Sequence, residues 1–275
     1  MKELLKYFLK RFFPNYYLAL ASRRSRAHSQ KLEREWGCTT LTHKLVRHYG
    51  PRVLSGPFQG LEFSSGTFDR HLAPKLLGSF ERELSPVWEK VLRRSYAAIL
   101  NIGCAEGYYA VGLSLYFSEA PIHAFDTDSW ARKMVHQMAE TNRVHNIRIH
   151  GACDVRWLSE NLRPHSFILS DCEGCEDVLL RPDLVRNMRY CDLLVELHEQ
   201  QAPGVTERLR RRFGSTHSSM LIAQQDRSFP DAIDIPFLSE AERHLALSEF
   251  RPERQRWLFL DSNEKSNSTT LDGTL

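Results

Sequence analysis

Short apolar runs alternate with longer segments of helical period through the middle of the chain. Ala97-Ala98-Ile99-Leu100-Asn101-Ile102 is continuous enough for a strand buried on both faces. A loop with Gly103 and Gly107 follows, then an apolar helical segment over 108–117. The next run, Pro121 to Asp126, predicts a second strand. Behind it Ala131, Met134, Val135, Met138 and Ala139 share one face of a helix over 129–141, with Asp128 or Ser129 as its cap. Further strands are predicted at 147–150, 167–169, 193–195, 219–223 and 257–260, with helices at 85–96 and 206–213. The pattern is βα alternation ending in two strands, an α/β fold with a largely parallel sheet.

The ligand chemistry belongs at the carboxyl ends of those strands. Glycines after the first strand let the backbone turn and approach a ligand at a helix N-terminus. The loop is not a phosphate-cradling G-x-x-x-x-G-K-[ST], because neither Lys nor Ser/Thr follows Gly107. Nor is it a full G-x-G-x-x-G, because Ala105 replaces the middle glycine. Asp126 ends the second strand about twenty residues later, where a carboxylate accepts ribose hydroxyls.

Three stretches together resemble the FkbM-type branch of class I S-adenosylmethionine methyltransferases. They are Gly-x-x-x-Gly-Tyr-Tyr-Ala (103–110), Phe-Asp (125–126) and Asp171-Cys172-Glu173-Gly174-Cys175-Glu176, a D-x-E-G-x-E signature after the fourth strand. The similarity spans about 55 to 260, and the run 74–84 resembles the segment ahead of the fold in some members. The resemblance implies a Rossmann-like fold: a seven-stranded, mostly parallel sheet with helices on both faces and an antiparallel last strand. It implies S-adenosylmethionine as cofactor, held by Asn101, Gly103, Cys104, Ala105, Glu106, Gly107, Asp126, Thr127, Asp154 (toward the adenine) and Asp171. Asn101 departs from the pattern, which has an acid there; an amide oxygen still accepts from the cofactor's amino group. Segments ahead of the first strand cover the site in this class, which brings Lys75 and Glu81 near it.

Methyl transfer asks the protein to align the acceptor and remove its proton. His198 titrates nearest neutrality and is the expected general base, with Glu173 or Glu176 as the alternative. Asp171, Glu173 and Glu196 also offer oxygen ligands to a divalent cation, although none is expected to be required. The resemblance implies oxygen methylation of a hydroxyl on a small molecule or glycan. Alternatives are nitrogen methylation of a small molecule or protein, and an inactive cofactor-binding scaffold. Nucleic-acid amino methylation is disfavoured because Asp171-Cys172-Glu173-Gly174 is not Asp/Asn-Pro-Pro-aromatic. A dehydrogenase is disfavoured by the incomplete dinucleotide fingerprint.

Charge and cysteines refine this picture. With 42% hydrophobic and 26% charged residues the composition is that of an ordinary globular protein, and a net charge of +3 makes no case for a nucleic-acid partner. Arg208, Arg210, Arg211 and Arg212 read as a solvated helix flank. Six scattered cysteines without a secretory signal suit reduced thiols in the cytoplasm. Cys172-x-x-Cys175 lacks the second pair a structural zinc needs, and its acidic neighbours disfavour thiolates. Residues 1–95 are expected to form a helical extension and cover, 96–262 the catalytic domain and 263–275 a disordered polar tail. The basic amphipathic lead-in, 1–35, packs on the domain or attaches to an anionic membrane surface through residues 1–20.

Overall fold

The computed structural model describes residues 37–67, 71–229, 233–251 and 253–263. The lead-in with its membrane option, and the tail from 264 onward, lie outside the described residues. Ahead of the sheet come α1 (Cys38–Tyr49), α2 (Leu72–Leu77) and α3 (Ser85–Val91). The alternation then runs β1 (Ile99–Ile102), α4 (Tyr108–Tyr116), β2 (Ile122–Phe125), α5 (Ser129–Thr141), β3 (Ile147–His150), α6 (Val155–Asn161), β4 (Phe167–Ser170) and α7 (Glu176–Leu179). It ends with β5 (Asp192–Glu196), α8 (Val205–Phe213), β6 (His217–Ala223), α9 (Glu240–Leu247) and β7 (Arg256–Ser262).

All seven strands form one sheet in the order 3-2-1-4-5-7-6, parallel except that β7 runs antiparallel to both β5 and β6. This is the Rossmann-like α/β fold expected, a seven-stranded, mostly parallel sheet with an antiparallel last strand. The period-2 geometry of strands explains why the central ones are apolar throughout. Ile99, Phe167, Leu169, Leu194, Trp257 and Phe259 face one core together with side chains from α1 to α5. Leu100, Ile102, Ile168, Leu193, Val195, Leu258 and Leu260 face the other, against α6, α7 and α8. Each such buried side chain contributes roughly 1.5–3 kcal/mol of transfer free energy.

Local expectations are corrected at several points. The helix predicted over 85–96 stops at Val91, and the Ser85 hydroxyl at its start donates to the Arg82 carbonyl. Asp128, rather than Ser129, caps α5 by accepting from the Trp130 amide at 2.9 Å. β7 carries on through Asp261 and Ser262, because Asp261 pairs with Lys90 and Arg94 and the Ser262 amide donates to Asp192. Half of the arginine flank on α8 is structural: Arg208 and Arg212 both hold Asp177, while Arg210 and Arg211 are exposed. Among the described residues no helix is long and apolar enough to cross a membrane.

Candidate active site

The carboxyl ends of β1, β4 and β5 meet around a cavity of about 440 Å³. Its floor is the glycine loop. Gly103 has φ +81°, and a Cβ there would overlap the backbone carbonyl oxygen of Asp171. Only glycine lets the β1 and β4 loops come this close. Ala105 is also left-handed, at φ 45°, held there as its amide donates to Asp126 Oδ2 at 3.0 Å.

The segment ahead of the sheet does roof this loop. Lys75, on α2, makes a buried ion pair with Glu106 of the glycine loop, and its ammonium lies 4.9 Å from the Phe80 ring centroid and 5.6 Å from that of Tyr108. Lys75 is only 5% exposed and Glu106 3%, so the pair is desolvated and each charge depends on the other. Glu81 follows at the cavity wall, bonded by the Tyr109 hydroxyl and by Arg251.

The D-x-E-G-x-E segment divides its acids by depth. Asp171 lines the cavity, Glu173 stands exposed at its mouth, and Glu176 is fully buried behind. Glu176 Oε1 accepts from the Cys172 amide at 3.1 Å and pairs with His198 Nδ1 at 2.8 Å. His198 Nε2 is thereby aimed into the cavity, 3.5 Å from Asp171 Oδ1 and 3.6 Å from Glu173 Oε2. Burial opposes a charge on His198, but the Glu176 hydrogen bond and the Asp171 charge overcome it and raise the imidazole to about 9. The pairing with Glu176 and Asp171 thus favours the imidazolium form of His198. Glu176, buried and spent on His198, does not reach an acceptor.

The other acids of the cluster are raised as well. Burial, against the pull of His198 and with repulsion from Glu173, pushes Asp171 up to about 7. Burial and Asp171 push Glu196 up to about 8. Burial and Glu196 do the same to Glu81. Arg251 reaches across this cluster, to Glu196 at 2.7 Å, to Glu249 at 3.0 Å and to Glu81. Arg227 holds Glu249 and Glu83 from the far side.

Arg251 and Glu249 were not foreseen. They sit in a polar stretch with no hydrophobic period, but the antiparallel final strand is a usable signal. Glu196 at the end of β5 pairs with Trp257 near the start of β7, so whatever precedes β7 arrives at the site.

Of the residues expected to hold a cofactor, Gly103, Cys104, Ala105, Glu106 and Asp171 line the cavity. Gly107 caps α4 beneath it. Asp126, Thr127 and Asp154 do not line it: Asp126 and Thr127 follow β2, which pairs with β1 beside the glycine loop, whereas Asp154 lies beyond β3, one strand further out. Asp126 is engaged by the Ala105 and Asp128 amides, at 3.0 and 2.8 Å. Asp154 caps α6 by accepting from the Trp157 amide at 2.7 Å. Asn101 is 1% exposed, and its Oδ1 is a buried acceptor without a partner.

Asn101 does not line the cavity, and it is the close glycine loop and the acid-rich wall that suit a ligand with a positive centre. For a divalent cation the structure gathers Asp171, Glu196 and His198, with one donor atom from each within 4.8 Å of one another. His198 thus replaces Glu173 in the expected set, and an imidazole with two carboxylates suits a borderline transition ion better than calcium.

No family model and no curated protein matches the chain. Among solved structures it is similar to the O-methyltransferase TomG from Streptomyces achromogenes, involved in tomaymycin synthesis and solved with SAM (11% identity over 73% of this chain and 92% of that one, TM-score 0.43). It is also similar to an rRNA methylase from Streptococcus thermophilus (10%, 66% and 97%, TM-score 0.42). A third is the precorrin-6y C5,15-methyltransferase from Geobacter metallireducens (10%, 74% and 93%, TM-score 0.39).

Proposed function

We propose that the chain is an S-adenosylmethionine-dependent methyltransferase acting on a hydroxyl of a small molecule or glycan. The observation that carries this reading is the cavity at the switch point between β1 and β4. A glycine loop forms one wall and an ionisable cluster on β4 and β5 the other. The cofactor supplies an electrophilic methyl on a sulfonium. Asn101 and the loop 103–107 would take its amino-acid end, and Asp126 its ribose.

The chain's own part is orientation and proton removal. Asp171 faces the cavity with a carboxylate poised near neutral pH, so it takes the acceptor's proton. His198, held as an imidazolium by Glu176, fixes Asp171 and Glu173 by charge. Lys75, Phe80 and Glu81 roof the site, which limits water around the reacting atoms.

Calorimetric titration with S-adenosylhomocysteine tests the reading. Micromolar binding is expected, weakened by about 1 kcal/mol or more in Asp126→Ala, the worth of hydrogen bonds to a charged group. Asp171→Asn should keep that binding and lose methyl transfer to hydroxyl acceptors by at least about a hundredfold. Neither heat nor a thermal shift with S-adenosylhomocysteine or S-adenosylmethionine would sink it.

A further inference from the structure

Between Asp171 and Glu176 lies a feature the methyl-transfer reading leaves unused, the pair Cys172 and Cys175. Glu173 and Gly174 are both left-handed, at φ 56° and 100°, and the Cys175 amide donates back to the Cys172 carbonyl at 3.3 Å. Two successive positive φ values closed by that bond make a tight turn whose end Cα atoms lie within about 7 Å. A disulfide needs about 4.4–6.8 Å between Cα atoms, so the backbone already holds the two cysteines at bridging range. Gly174 secures the turn: a Cβ there would come 2.6 Å from Gln201 Cβ.

The two thiols are unequal. Cys175 is exposed, whereas Cys172 is half-buried against the core under α6 to α8, with its sulfur 3.6 Å from Ser170 Oγ. Cys175 is thus the sulfur open to a dissolved disulfide, and Cys172 the one positioned behind it. Repulsion from Glu176 and Glu173 works against a thiolate on Cys175, as expected from the sequence. Burial pushes up Cys104, Cys153 and Cys191, and Cys172 is raised as well, by its Cys175 neighbour and by burial.

We propose that Cys172 and Cys175 form a reversible redox site, oxidised to an internal disulfide by a low-molecular-weight disulfide such as oxidised glutathione. The Cys175 thiolate attacks one sulfur of the small disulfide, whose S–S bond breaks to release one thiolate. Cys172, deprotonated, then attacks Cys175 Sγ and expels the second. The protein gives up two electrons and two protons, and both protons end on the two small thiols. The bridge lies inside the turn that carries Asp171 and Glu173 and precedes Glu176, so closing it acts directly on the residues around His198.

The test needs no methyl acceptor. The full chain is equilibrated in glutathione buffers of graded oxidised-to-reduced ratio, and its free thiols are labelled and mapped by mass spectrometry. Cys172 and Cys175 should lose label together in one two-electron step, on a peptide lighter by two hydrogens, while Cys104 and Cys191 stay reduced. Cys172→Ser should trap a glutathione adduct on Cys175, and Cys175→Ser should take neither bridge nor adduct. At pH 7, iodoacetamide should modify Cys175 at least about tenfold faster than Cys172 in the reduced protein. Persistent labelling of both cysteines in the most oxidising buffer would overturn the proposal. So would a wild-type glutathione adduct with no internal bridge.

Discussion

Glu176 shows how a single buried atom can set the character of a site. Its Oε1 both receives the Cys172 amide and holds His198 Nδ1, so it orients the imidazole and keeps it charged. Glu176→Gln removes the charge but keeps the shape. His198, raised to about 9 in the wild type, should then titrate at least about one unit lower in an NMR titration. An unchanged midpoint would mean that Asp171 and Glu196 alone hold the proton. Arg251 is the complementary case, one guanidinium against Glu81, Glu196 and Glu249. Arg251→Met leaves Glu81 and Glu196 without their cation, while Glu249 keeps Arg227, and should cost about 3–5 kcal/mol in urea unfolding. The motif acids were visible in the sequence as a cluster, but their separate tasks were not. D-x-E-G-x-E spacing says nothing of depth, and only the fold puts Glu176 behind His198 and Glu173 in front of it.

At the level of elements, the strands could be read because burial on both faces writes them as apolar runs, and the turn into α4 because it needs glycine. Gly103→Ala tests that second reason. Its Cβ would strike the Asp171 carbonyl from a left-handed backbone, so a loss above about 3 kcal/mol is expected in chemical denaturation. The helices α2, α6 and α9 escaped sequence reading because they are short, with too few apolar positions to show a period, whereas α1 does carry one in Cys38, Leu41, Thr42 and Leu45. α6 did carry a signal, Asp154 as its cap. Asp154→Ala should cost about 1 kcal/mol of stability in urea whether or not a ligand is present. If instead the stability is unchanged while affinity for S-adenosylhomocysteine falls, the carboxylate serves the ligand and not the helix.

Taken as a whole, the molecule concentrates raised acids and a raised histidine in one cleft. Asp171, Glu81 and Glu196 have folded pKa values of about 7, 8 and 8, above their unfolded values, and His198 stands at about 9. A group raised on folding stabilises fully below its unfolded pKa and loses that contribution as pH climbs through its folded value. All four therefore act with the same sign. The thermal midpoint should fall as pH rises from about 5 to about 9, most steeply around pH 6 to 7, in differential scanning calorimetry. Glu196→Gln should flatten that slope, and a midpoint rising across this interval would contradict the assignment.

The strand order carries one more consequence, for how the chain is made. β7 lies between β5 and β6, and β6 joins the sheet only through it. On the ribosome, strands 1 to 5 can pair as they emerge, but β6 must wait without a neighbour until residue 262 is out. During that interval the β5 edge, apolar on both faces, stands open to any passing strand. A chain stalled or cut between β6 and β7 is accordingly a species for chaperones, with its whole first half already folded and one unfinished seam.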